Sequence, residues 1–129
     1  MTMKKIVVDS SIIAEHIITV NIESILRTLS REYFCYTTVF NAIELFAVSN
    51  SLKETQAIED AMNAMKVLGV NSKSAKNIAT IVSSSKSDFS ALIAGICIES
   101  KLPIVTLNPK RFSGTKQLIV YSIKDVLKR

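Results

Sequence analysis

The chain begins its apolar patterning with Ile6-Val7-Val8, a β-branched run without polar alternation, and turns polar at Asp9-Ser10-Ser11. Such a run suits a strand buried on both faces of a parallel sheet. The period then lengthens. Ile12, Ile13, Ile17 and Ile18 fit one short helix. Ile22, Ile25, Leu26 and Leu29 recur at i, i+3, i+4 and i+7, the stripe of an amphipathic helix with Asn21 as its cap. Tyr33-Phe34-Cys35-Tyr36-Thr37 is aromatic and β-favouring, a second strand. From about Val39 to Leu52 the chain is apolar nearly all round, which predicts one buried helix. Thr55 to Lys66 predicts another, with Ile58, Ala61, Met62 and Met65 as its stripe, the methionines as core filler. Val67-Leu68-Gly69-Val70 reads as a short strand, and Ser72 or Ser74 caps a helix carrying Ala75, Ile78, Ala79 and Val82. Ser83 to Ser87 is a loop-like cluster. Asp88 to Ile98 is a strongly apolar helix with its polar residues at the start, closed by Leu102. Pro103 to Thr106 is a buried strand, Leu107 to Phe112 a loop, Leu118 to Tyr121 a last strand and Ser122 to Leu127 a short helix. Alternating strands and helices require crossovers, so the pattern predicts an α/β fold with a parallel sheet and helices on both faces.

Composition narrows the class. A chain of 129 residues with 48% hydrophobic and 21% charged side chains describes one ordinary globular domain, residues 1–129. With 3 Gly and 2 Pro there is little room for linkers. The N-terminus has lysines but neither a long apolar stretch nor a small-residue cleavage pattern, and no apolar run approaches the length of a membrane span. The expectation is a cytoplasmic protein without a membrane partner. Cys35 and Cys97 form no CxxC or Cys/His metal spacing and are read as reduced, buried thiols. The formal charge of +5 permits a polyanion partner, although the basic residues are scattered.

Two acids stand out. Asp9 ends a buried strand, where a carboxylate points into the crevice in which open α/β sheets bind ligands; the alternative is that it caps the next helix. Glu44 lies in an apolar helix, and Asn41, three residues earlier, shares its face. A carboxylate there is costly unless a cation or hydrogen bonds compensate it. His16, the one histidine, is assigned no chemistry.

These pieces recur in order: Val8-Asp9-Ser10-Ser11, Ala42-Ile43-Glu44-Leu45, and the stretch from Leu92-Ile93-Ala94 through Leu102-Pro103-Ile104-Val105-Thr106-Leu107-Asn108 to Phe112. The chain thereby resembles a PIN domain over nearly its whole length, and its size is similar to that of VapC-type toxins. The resemblance implies a three-layer α/β/α sandwich with a mostly parallel central sheet, acidic residues clustered at the carboxyl ends of its strands, and metal-dependent cleavage of RNA. It matches Asp9 and Glu44 to the first two acidic ligands, Asn108 to the last and variable one, and Ser11 and Thr106 to small hydroxyl residues lining the site. One position departs. Ser90 stands where the family has its third acid, and the nearest carboxylate is Asp88, two residues away and nearly opposite on a helix. Asp88 is therefore either a third catalytic and metal ligand, swinging in from outside the helix, or an N-cap.

The resemblance implies a Mg²⁺ or Mn²⁺ endoribonuclease, the toxin of a toxin–antitoxin pair, with RNA and an antitoxin as partners and a homodimer as its assembly. Asp9, Glu44 and Asp88 would be its catalytic and metal residues, with Asn108 as a further ligand. Ser11, Asn41, Ser90 and Thr106 would support the site, and Lys110 and Arg111, which follow the site strand, would hold RNA phosphates. The alternative is a catalytically weakened PIN-like module that binds RNA or protein. Restoring Asp at Ser90 should separate the two by raising activity. A third reading, a flavodoxin-like phosphoryl receiver, shares the parallel-sheet pattern and a strand-end Asp but ranks below these two, because the sequence shows no further acidic pair after the first strand and no acceptor Asp ending a central strand.

Overall fold

Whether helices lie on both faces of a sheet is decided by where successive strand side chains go. The computed structural model, which describes residues 3–83 and 88–127, answers this at its first strand, β1 (Lys4–Val8). Ile6 and Val8 enter one apolar cluster with Ile12, Ile13, Leu26, Leu29, Ile58 and Val105. Val7 enters another with Ile93, Ala94, Cys97, Ile104 and Phe112. The period-2 alternation of a strand thus divides a continuous apolar run between two cores.

The chain continues through α1 (Ser10–Ile18), α2 (Ile25–Glu32), β2 (Tyr33–Thr38), α3 (Val39–Ala47), α4 (Leu52–Asn63) and β3 (Lys66–Leu68). It then forms α5 (Ser72–Ser83), α6 (Phe89–Ser100), β4 (Ile104–Val105), a 3₁₀ turn (Pro109–Phe112), β5 (Val120–Tyr121) and α7 (Ile123–Val126). The five strands form one sheet in the order β3-β2-β1-β4-β5. Every pairing is parallel. The chain leaves β1 toward β2 and β3, then returns to the other side of β1 for β4 and β5. This reversal opens a crevice beyond the carboxyl ends of β1 and β4, the place where open parallel sheets bind ligands.

Several element ends differ from the sequence reading. Asn21 lies outside α2 at φ 71°, and Ser24 is the cap, its Oγ accepting the Arg27 N–H at 3.2 Å. Ile22, expected in the apolar stripe, is 76% exposed. The helix expected from Val39 to Leu52 ends at Ala47 and the next, expected from Thr55, begins at Leu52, because Ser49 and Ser51 bond locally between them instead of continuing the ladder. Ser49 Oγ pairs with Thr55 Oγ1 at 2.7 Å, and Ser51 Oγ accepts the Glu54 N–H at 3.1 Å. Asn71, rather than Ser72 or Ser74, holds the start of α5: its Oδ1 accepts the Ser74 N–H at 2.9 Å while Ser74 Oγ accepts the Asn71 N–H at 3.2 Å. Of the loop expected over Ser83 to Ser87, Ser83 ends α5 and residues 84–87 lie outside those described. Cys35 and Cys97 are both free thiols.

Candidate active site

Asp9 sits at the N-cap position of α1, yet its side chain makes no capping bond. Its carboxylate is 1% exposed and turns into the crevice instead. There it accepts three hydrogen bonds. Asn41 Nδ2 and Arg111 Nη1 donate to Oδ1, each at 2.9 Å, and Thr106 Oγ1 donates to Oδ2 at 2.8 Å. A carboxylate this deep needs such a set, since its desolvation costs several kcal/mol when uncompensated, roughly the penalty of any unpaired buried ion.

Asn41 is positioned by the start of α3. Thr38 Oγ1 accepts the Asn41 N–H at 3.1 Å and Asn41 Oδ1 accepts the Thr38 N–H at 3.3 Å, a capping box; Thr38 Oγ1 also donates to that Oδ1 at 2.8 Å, which fixes the amide's orientation. With its oxygen so used, the amide nitrogen has two protons to give. One goes to Asp9 and the other to Ser10 Oγ at 2.8 Å. Ser10 in turn donates to Glu44 Oε1 at 2.7 Å. One turn of α3 therefore brings Asn41 and Glu44 to the same pocket, as their spacing of three predicts. Glu44 is 25% exposed and faces the open side.

On the opposite wall, Thr106 follows β4. Its proton is committed to Asp9, so in the 3.3 Å pair between Ser11 Oγ and Thr106 Oγ1 the donor is Ser11, which also accepts the Leu107 N–H at 3.1 Å. The Asn108 N–H donates to Thr106 Oγ1 at 3.1 Å, and the Asn108 residue itself is exposed. The chain then enters the 3₁₀ turn, anchored by buried Phe112. The preceding side chain turns inward, with the Arg111 Cζ 5.3 Å from the centroid of the Phe112 ring. Arg111 Nη1 meets Asp9, Nη2 meets Glu44 Oε2, and Nε donates to Ser90 Oγ at 2.7 Å. Its planar fork suits two carboxylates at once. Two carboxylates against one guanidinium leave the cluster one negative charge in excess.

No protein-family model matches the sequence, and no curated protein matches it. Solved structures do match. DNA-bound VapBC from Salmonella typhimurium aligns at TM-score 0.71 and 18% identity, covering 94% of this chain and 99% of that one. VapBC2 from Rickettsia felis, bound to a promoter DNA fragment, aligns at 0.70 and 18%, covering 90% and 96%. VapBC-1 from nontypeable Haemophilus influenzae aligns at 0.69 and 17%, covering 92% and 97%. The chain has a VapC-like PIN fold.

Within this PIN fold the structure gathers Asp9, Ser11, Asn41, Glu44, Ser90, Thr106 and Arg111 into one hydrogen-bonded cluster. Asp88 does not join it. Its backbone is extended, it precedes α6, and its carboxylate accepts the Ala91 N–H at 3.0 Å, the capping alternative. Among the described residues, no group of three or more acidic, histidine or cysteine side chains is arranged to hold a metal ion. Lys110 is exposed beside the site, whereas Arg111, expected to hold RNA phosphate, is paired with Asp9 and Glu44. Two contributors were not singled out from the sequence, Ser10 and Thr38. Ser10 adjoins Asp9 at the start of α1, and Thr38 caps α3 three residues before Asn41; adjacency and the cap position were the available signals. Beneath the pocket, burial together with the Asp9 charge pushes the Cys97 thiol up to about 12, so it stays protonated and plays the part of a small apolar side chain.

Proposed function

We propose that this chain is a divalent-metal-dependent endoribonuclease of PIN type, the toxin of a toxin–antitoxin pair. The observation that carries this reading is the convergence of Asp9 and Glu44, from the end of β1 and from α3, on one shared cation, the Arg111 guanidinium. Two carboxylates that share one cation between them form a donor set that also fits a hard divalent ion. Asp9 and Glu44 would hold Mg²⁺ or Mn²⁺, with Ser11 and Asn108 as neighbouring neutral oxygen donors. When bound, such an ion lowers the pKa of a coordinated water and offsets charge building on the scissile phosphate. The chain's own residues prepare the place: Asn41 and Thr106 fix Asp9 through opposite oxygens, and Ser10 fixes Glu44. Lys110 offers a phosphate contact at the rim, which makes RNA binding salt-dependent.

The partners follow from the same reading: RNA as substrate, an antitoxin protein, and a second copy of the chain. Among the described residues no helix is long and apolar enough to cross a membrane. Cleavage of an RNA panel by the purified chain should require Mg²⁺ or Mn²⁺, stop with EDTA, and disappear in Asp9→Asn and Glu44→Gln. Cleavage that survives both substitutions rejects the reading.

One observation favours a second reading, a PIN-fold module that binds RNA or protein without turnover. The pocket already carries its own cation, and its third acidic position is Ser90. In the same assay this module gives saturable RNA binding, little affected by metal, and no products.

A further inference from the structure

The guanidinium of Arg111 occupies the space between the two carboxylates that the proposed function assigns to a metal ion. Three of its nitrogens have acceptors on three different elements: Asp9 after β1, Glu44 on α3 and Ser90 on α6. The side chain is 17% exposed, so it is a packed wall of the pocket and not a surface charge. The neutral hydroxyl of Ser90 accepts from Nε without adding a third negative charge. Beside it lies an open groove of about 310 Å³ between the start of α6 and the 3₁₀ turn, lined by Arg111, Lys110, Ser113 and Gly114 among others. That groove gives the arginine somewhere to go.

We propose that Arg111 is a built-in latch on the acidic pocket, with Ser90 as its catch, and that a divalent ion binds Asp9 and Glu44 only when the guanidinium has swung out. The inference rests on the reading of this pair as a cation site. Its consequence is quantitative. A site competent for only a fraction of the time has its affinity reduced by that fraction, so a latch closed about nine-tenths of the time weakens metal binding roughly tenfold. The latch also acts without metal, because removing it leaves the buried Asp9 carboxylate short of one charged donor.

The test is Mn²⁺ binding to the 129-residue chain, followed by the EPR signal of free Mn²⁺ beside thermal unfolding with and without the ion. Arg111→Ala should bind Mn²⁺ on the order of tenfold more tightly than the wild type. It should also melt lower than the wild type without metal and recover with Mn²⁺. Arg111→Gln, which keeps an uncharged donor, is measured alongside in case the alanine variant does not fold. Lys110→Ala removes the same charge from the exposed neighbour and should leave Mn²⁺ affinity unchanged. A folded Arg111 variant with wild-type affinity overturns the latch, as does Lys110→Ala tightening binding equally, since the effect is then only long-range charge. If the wild type matches the Arg111 variants in affinity and cleaves RNA, the latch fails and the proposed function stands. If neither protein binds Mn²⁺ at millimolar concentration, both fail.

Discussion

At the scale of single residues, the site depends on how a buried carboxylate is kept from being a liability. Asp9 occupies a capping position without capping, which leaves its oxygens free for Asn41, Thr106 and Arg111. Asn41 is fully buried and bonds Thr38, Ser10 and Asp9 at once, so no apolar side chain of similar size replaces it. Asn41→Leu should cost about 1–3 kcal/mol of stability, the usual penalty for stranding buried partners, as read from a shift of the urea midpoint. Asp9 and Glu44 were legible in the sequence because acids are conspicuous at a buried strand end and inside an apolar helix. Arg111 was singled out, but as a phosphate contact; its pairing with both carboxylates was not legible. Beside Lys110 in a basic loop it looks like any surface cation, and its reach to Asp9 and Glu44 is visible only in the fold.

At the scale of elements, two contacts between neighbouring helices carry predictions. α6 lies close to α5 at Gly95, where an added Cβ would sit 2.9 Å from Ile78 Cγ2, a branch methyl with little freedom to move. Gly95→Ala gains about 1 kcal/mol of helix propensity and loses roughly 1–3 to overpacking, so a net drop in melting temperature is expected. α1 and α2 are joined where His16 Nδ1 meets Ser24 Oγ at 2.6 Å. Ser24 Oγ also accepts the Arg27 N–H at 3.2 Å, so the hydroxyl ties the imidazole to the first turn of α2. Burial first, and then the Arg27 charge, hold His16 below its ordinary value of 6.5, with Glu15 opposing. The unfolded chain therefore binds more protons in this window. The contribution to stability is complete above pH 6.5 and is lost as pH falls through the lowered folded value. Melting temperatures between about pH 7.5 and 5.5 should fall in the wild type and fall less in His16→Gln. Helix existence was readable from periodicity, whereas helix ends were set by individual serine and asparagine side chains whose local bonds no periodicity reports.

At the scale of the whole molecule, the order β3-β2-β1-β4-β5 makes the site, because it sets β1 beside β4 and gathers residues 9, 44, 90, 106 and 111 around one crevice. The sequence by itself determined the alternation of strands and helices, the parallel sheet with helices on both faces, and Asp9 and Glu44 as candidate acids, each taken singly. These follow from local period and from the cost of an acid among apolar neighbours, both properties of short stretches of chain. The tertiary structure alone decided that Asp88 caps a helix, that Ser90 accepts a hydrogen bond, and that Arg111 reaches both carboxylates. The last two depend on partners far away along the chain, and a side chain's reach across a crevice has no signature in its own neighbours; the Asp88 cap is local, bonded to Ala91, and the fold only chose between two readings the sequence had left open.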